Sequence, residues 1–198
     1  MAKIAVFASG NGSNFEAIVN NYGQVSLLVC DNPDAYVLKR AEKSQIDTFV
    51  FSPRNYKSKL EYEEEILKKL EEYQVDYLVL AGYMRLIGST LLTAYANRII
   101  NIHPSLLPAF PGKDAILQAF EYGVKVTGVT VHFVDEGLDS GPIIYQEPVI
   151  VDDNDTYEAV EEKIHTLEHR IYPIIVQALV NKDFVLEGGK VKWVRRMG

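Results

Sequence analysis

The chain has 198 residues, a length that fits one compact folding unit and leaves two cramped. Its 47% hydrophobic and 24% charged content is that of a protein with a sizeable core, which excludes wholesale disorder. With 20 Lys and Arg against 27 Asp and Glu the net charge is −7, which argues against nucleic acid or an anionic membrane as a partner recruited by bulk charge. Cys30 is the single cysteine and lies in an apolar stretch, so no internal disulfide forms and a reducing cytoplasm is the natural compartment. Met1-Ala2-Lys3 leads straight into strand-like residues, and no uncharged run approaches the roughly 18 residues of a membrane span, so neither a targeting segment nor an anchor is expected.

In chain order, residues 4–8 read as a strand, followed by a glycine loop and a helix carrying Phe15, Ala17, Ile18 and Val19. The pattern repeats with a strand over 25–30, the turn Asp31-Asn32-Pro33-Asp34, a helix over 35–44 and a strand over 48–51. Over 60–73 the spacing predicts a helix with Leu60, Ile66, Leu67 and Leu70 on one side, and Glu64/Lys68 and Glu65/Lys69 as i,i+4 pairs on a solvated face. A continuous apolar strand over 75–81, a helix over 86–95 and a strand over 99–102 follow. Strands alternating with helices imply a parallel sheet with right-handed crossovers.

Residues 125–134 and 142–151 then read as two strands joined by the turn-rich run from Asp135 to Gly141, an antiparallel hairpin that makes the sheet mixed. Asp155 as N-cap with Glu158 three residues on opens a last long helix whose Tyr157, Val160, Ile164, Leu167 and Ile171 form a buried face. Pro173 is expected to kink or restart it. Residues 182–198, with Gly188-Gly189 and basic Lys190, Lys192, Arg195 and Arg196, suggest a small hairpin or a loose tail. The predicted fold is α/β and Rossmann-like, three-layered, with a mostly parallel mixed sheet, and with no repeat or linker it reads as one domain over 1–198.

Three places carry candidate chemistry. Gly10-Asn11-Gly12-Ser13-Asn14 lies between the first strand and first helix, where backbone N–H groups and the helix dipole suit a phosphate. A dinucleotide fingerprint competes, since Asp31 lies about 20 residues on as such motifs require, but Phe15 occupies the third glycine position. Asn101 and His103 share one side of a strand by period-2 alternation, at the carboxyl end where open α/β sheets bind ligands. A carboxamide N–H beside a protonated imidazole suits an oxyanion, and Pro104 and Pro108 fix an irregular backbone directly after the pair.

Asp139, between Gly137 and Gly141, reads either as a carboxylate held against a histidine or as a turn residue bonding its own backbone. His132 could approach the same region, which leaves a metal site from His103, His132 and Asp139 conceivable but without any short ligand spacing to support it. Glu168 places a charge at the edge of the last helix's apolar stripe, where it needs a partner, while His165 and His169 read as surface or flanking residues. Met84, Leu86 and Ile87 read as packing residues.

These segments together resemble the glycinamide ribonucleotide formyltransferase family of purine biosynthesis. The resemblance rests on Gly10 to Asn14, Ala81-Gly82-Tyr83-Met84-Arg85, Asn101 to Pro108, Thr127-Gly128-Val129-Thr130-Val131-His132, Leu138-Asp139-Ser140-Gly141-Pro142, and Leu167-Glu168-His169 before Tyr172-Pro173. It implies transfer of a formyl group from 10-formyltetrahydrofolate, as co-substrate and without a metal, to the amine of glycinamide ribonucleotide. By the same resemblance Gly12, Ser13 and Asn14 hold the 5′-phosphate and Glu168 meets the ribose or amine end. Met84, Arg85, Leu86 and Ile87 line the pterin pocket, with Lys59 and Asn101 also on the folate. Asn101, His103 and Asp139 are catalytic. Residues 1–100 then form the nucleotide-phosphate half and 101–198 the catalytic and folate half, with a homodimer left open.

Two departures stand out. Some relatives place an Arg where this chain has Lys59, which keeps the charge and loses bidentate geometry. Pro111-Gly112 is followed by Lys113-Asp114-Ala115-Ile116-Leu117 and not by histidines, so no phosphate contact transfers there. The methionyl-tRNA formyltransferase and formyltetrahydrofolate hydrolase families are similar around Asn101, His103 and Asp139, but they carry a further domain for which 198 residues leave no space. A noncatalytic nucleotide-binding domain would use the same loop without needing those three side chains to converge.

Overall fold

The computed structural model describes residues 1–195, so Arg196 of the expected basic tail lies outside the described residues. The chain forms two compact units, Met1–Ile100 and a second that begins at Asn101. The first contains β1 (Ile4–Ala8), α1 (Ser13–Tyr22), β2 (Val25–Cys30), α2 (Val37–Lys43), β3 (Thr48–Val50), a 3₁₀ turn (Pro53–Asn55), α3 (Lys59–Glu72), β4 (Tyr77–Leu80) and α4 (Ser89–Ala94). Strand β5 (Ile99–His103) starts in this unit and ends in the next. The second unit continues with α5 (Ala115–Tyr122), β6 (Val126–Phe133), β7 (Ile143–Ile150), α6 (Tyr157–Asn181), β8 (Phe184–Glu187) and β9 (Lys190–Trp193).

The large sheet has seven strands in the order β3-β2-β1-β4-β5-β6-β7. Strand β1 pairs in parallel with β2 and β4, β2 pairs in parallel with β3, and β6 pairs antiparallel with β7, giving the mostly parallel, mixed sheet that the alternation of elements predicts. All five residues of β1 are buried, which is why it reads as an unbroken apolar run and not as an alternating one. The order reverses between β1 and β4, where doubly wound sheets open a crevice at their carboxyl ends. There the Ser9 N–H donates to the Gly82 carbonyl at 3.0 Å, and Ser9 Oγ accepts the Met84 N–H at 2.9 Å. These two bonds join the loops that follow β1 and β4.

In the hairpin of β6 and β7, a Cβ on Gly128 would lie 2.2 Å from the Glu147 carbonyl oxygen and 2.6 Å from the Leu106 side chain, so this position admits no larger residue. Strands β8 and β9 form the small hairpin expected near the C-terminus. Its turn glycines, Gly188 and Gly189, have φ of 60° and 76°, the left-handed pair that a two-residue hairpin turn demands.

Several elements differ from expectation. The helix expected over 86–95 shrinks to Ser89–Ala94, because α3 side chains occupy the peptide groups of Leu86 and Gly88. Leu60 is exposed, while Glu63, within a run of acidic residues, is buried. Glu65 accepts the Tyr56 hydroxyl and Lys69 pairs with Glu72, replacing the Glu65/Lys69 pair. On α6 the N-cap is Thr156, whose Oγ1 accepts the Ala159 N–H at 3.2 Å; Asp155 instead accepts the Asp152 N–H and pairs with Lys163. Pro173 neither ends nor restarts α6, which runs unbroken for 25 residues. Helix α5 was not among the expected elements, and its N-cap Asp114, though of a favoured cap type, sits at φ 55° and makes no side-chain cap bond. No helix among the described residues is long and apolar enough to cross a membrane.

Candidate active site

Strand β5 puts Asn101 and His103 on one side, and the segments after β5 and β6 bring two further groups to them within the second unit. His103 Nε2 donates to the Phe110 carbonyl at 2.8 Å, and its Nδ1 lies 3.5 Å from Asp139 Oδ2. Asp139 Oδ1 is 3.9 Å from His132 Nε2, and Asn101 Nδ2 donates to that same nitrogen at 3.3 Å. His132 Nδ1 donates to its neighbour's carbonyl, Phe133 O, at 2.8 Å, so Nε2 carries the lone pair that receives the carboxamide. Burial pushes the His132 imidazole below its ordinary 6.5, against the pull of Asp139, and favours this neutral form.

Asp139 has φ 50°, a conformation that Asp tolerates better than most side chains. Its Oδ2 accepts the Gly112 N–H at 2.8 Å, a bond to a segment 27 residues away and not the local turn bond that was one reading of it. The loop after β5 is held from β6 and β7. Thr130 Oγ1 donates to Ser105 O at 2.7 Å and accepts from Leu107 N at 3.1 Å and from Gln146 Nε2 at 2.9 Å. The Leu107–Pro108 peptide is cis. Thr130 and Gln146 gave no sequence signal as site residues, since each lies in an ordinary strand pattern. No group of three or more His, Cys, Asp or Glu among the described residues is arranged to hold a metal ion.

In the first unit, Gly12 is the left-handed N-cap of α1, with φ 79° and no side chain to cap the helix. The N-terminus of α1 thus has no side-chain cap, and helix N-termini are the ends that receive an anion. The loop is braced from α2. Val37 N–H donates to Gly10 O at 3.0 Å, Val37 packs so close that a Cβ on Gly12 would lie 2.3 Å from its Cγ2, and Arg40 donates to Asn11 O and Asn11 Oδ1, each at 2.9 Å. Arg40 also pairs with Glu16 on α1. Nothing in the sequence marked Arg40, because its partners lie more than 20 residues away.

Met84 and Leu86 are 62% and 52% exposed, so they are not packing residues, whereas Ile87 between Leu86 and α4 is buried. Lys59 and residues 84–87 lie in the first unit with Gly12, Ser13 and Asn14. Arg85 Nε pairs with Oδ2 of buried Asp31 at 2.8 Å. Glu168 is 5% exposed on α6, and His165, one turn before it, gives it a partner through Nδ1 at 3.0 Å. That contact raises the His165 pKa above 6.5.

Known proteins place this arrangement. The formyl transferase family matches residues 2–176. The phosphoribosylglycinamide formyltransferase of Bacillus subtilis (strain 168) is 55% identical over 186 residues, covering 91% of this chain and 95% of that protein. The human trifunctional purine biosynthetic protein adenosine-3 is 38% identical over 201 residues, which are 98% of this chain and 20% of that protein. The crystal structure of glycinamide ribonucleotide transformylase 1 from Symbiobacterium toebii has a TM-score of 0.94 at 44% identity, covering 98% of this chain and 94% of that one. With the match spanning both compact units and every segment described above up to α6, the chain belongs to the formyl transferase family.

Proposed function

We propose that this protein transfers the formyl group of 10-formyltetrahydrofolate to the amine of glycinamide ribonucleotide, in purine biosynthesis. The observation that carries the chemistry is the convergence of Asn101, His103, His132 and Asp139 at the end of β5. The substrate assignment follows the near full-length similarity to proteins named for that activity.

In this reading the amine nitrogen attacks the formyl carbon and a tetrahedral alkoxide forms. Asn101 Nδ2 keeps one hydrogen on His132 and offers the other to the alkoxide. His103 Nδ1 lies at 3.5 Å from Asp139, too far for a full hydrogen bond, so a protonated ring has an N–H to give the same oxygen. Asp139 orients His103, takes the amine proton through water and returns it to N10 as the bond from the formyl carbon to N10 breaks, so that tetrahydrofolate leaves and the acid is regenerated as the carboxylate. Gly12, Ser13 and Asn14 take the 5′-phosphate, Glu168 the ribose or amine end, and residues 84–87 with Lys59 the pterin side of the folate. In this reading residues 1–198 act as one formyltransferase domain.

The test is direct. Pure protein incubated with both substrates is expected to give formylated glycinamide ribonucleotide and tetrahydrofolate in equal amounts. Free formate in place of that product identifies a hydrolase instead.

A further inference from the structure

Residues 84–88 are neither helix nor strand, yet they are fastened at four points within the first unit. Ser9 Oγ accepts the Met84 N–H at 2.9 Å, and Asp31 holds Arg85 Nε at 2.8 Å. From α3, Lys59 Nζ donates to the Leu86 carbonyl at 2.8 Å, and Glu63 Oε1 accepts the Gly88 N–H at 2.7 Å. The contact with α3 is close, since a Cβ on Gly88 would lie 2.7 Å from Glu63 Oε2 and 2.9 Å from Lys59 Cδ.

Glu63 is 2% exposed. Burial raises its carboxyl above the usual range, while the Gly88 N–H and the Lys59 charge pull it back. A buried carboxylate is costly, and here it accepts the backbone N–H groups of Gly88 and, at the start of α4, of Leu91. Beside it Met84, Leu86 and Leu60 keep their apolar side chains in water, although Ile87 in the same segment is buried. A segment fixed at four points, three of them on its backbone, that displays apolar side chains outward is a preorganised wall for a flat ligand.

We propose that Lys59 and Glu63, one turn apart on α3, act as a clamp that sets the shape of residues 84–88 for the pterin ring, and that Lys59 serves the folate through the Leu86 carbonyl and not through charge on the folate tail. This rests on the formyltransferase reading given above. Both are positioning residues, with the segment they hold making the contact. Lys suits that work because a single ammonium donor on a carbonyl needs no bidentate fork.

The experiment compares steady-state kinetics of the full chain with 10-formyltetrahydrofolate and with the same donor lacking its glutamate tail. Formylated product from the wild type is measured first, and its absence overturns the formyltransferase reading and this proposal with it, before any variant is made. Given product, Lys59→Met is expected to raise KM for both donors by the same factor, on the order of tenfold, while leaving KM for the nucleotide unchanged. An effect confined to the glutamate-bearing donor overturns the proposal, because it places the Lys59 charge on the tail. Glu63→Ala is expected to act like Lys59→Met, and Glu63→Gln, which keeps an acceptor for Gly88, to stay within about twofold of wild type. A Gln variant as impaired as Ala, or a KM rise shared by the nucleotide, also overturns it. Should Glu63→Ala not fold, the two-donor comparison on Lys59→Met decides alone.

Discussion

His132 fixes which way the Asn101 carboxamide points. Its Nδ1–H is taken by the Phe133 carbonyl, so the 3.3 Å contact between Asn101 Nδ2 and His132 Nε2 is read in one direction, amide to imidazole. That leaves the second amide hydrogen for a developing negative charge. Asn101→Ala is therefore expected to lower kcat by on the order of 10²- to 10³-fold, about 3 to 4 kcal/mol, with little change in either KM. Single-turnover and steady-state rates measure it, and a loss below about threefold would remove the residue from transition-state stabilisation.

Asp139→Asn is a clean probe of charge. Asn tolerates the positive φ at this position and its oxygen can still accept the Gly112 N–H, so the loop should hold. The carboxylate facing His103 is lost. The expected outcome is a kcat lower by about 10²-fold or more with an altered pH–rate profile. A profile of unchanged shape would deny Asp139 a part in proton transfer.

For the glycine loop, inorganic phosphate is expected to compete with the nucleotide and not with the folate. Gly12→Ala meets both a φ of 79° and the side chain of Val37, and should weaken phosphate inhibition and nucleotide binding together, by about tenfold or more. Arg40→Met, which frees Asn11, should weaken them in the same direction to a smaller degree. Inhibition constants for phosphate read both effects, and insensitivity to phosphate would make the loop a plain turn.

Two histidines should bend the pH dependence of stability in opposite senses. His132 has a folded-state pKa below 6.5, chiefly through burial, so its contribution is present above 6.5 and is lost as pH falls through the depressed value. His165 has a folded-state pKa above 6.5, chiefly through its hydrogen bond to Glu168, so its contribution is present below 6.5 and is lost as pH rises through the elevated value. Thermal unfolding from about pH 5 to 8 should show His165→Gln removing the loss on the alkaline side and leaving the acid side unaltered. The reverse assignment would contradict the contacts described.

The fold was legible where one physical signal dominated. The apolar run of β1 dictates a single backbone state, whereas the permissive Gly188-Gly189 pair leaves both a hairpin and a loose tail open, and the pairing of the strands beside it settles which. The pairing of Asn101 with His103 on β5 was legible because alternation puts them together whatever surrounds them. What escaped was set by distant partners. The sequence reads Glu63 as one more solvated acid, and the Gly88 and Leu91 amides with the Lys59 charge explain its burial. The helix expected from 86 starts at 89 for the same reason. Asp155 and Thr156 are both good caps, and the choice went to Thr156 because Lys163 and the Asp152 amide occupy Asp155.

Trp193 is the only tryptophan of the chain, and its indole Nε1–H donates to the Ile144 carbonyl on β7 at 3.0 Å. Strand β7 ends the sheet order, and Pro148 interrupts its row of donors. The small hairpin thus tethers itself to an edge strand of the sheet. Intrinsic fluorescence excited at the indole consequently reads the surroundings of that hairpin alone, with no second tryptophan in the chain to blur the signal.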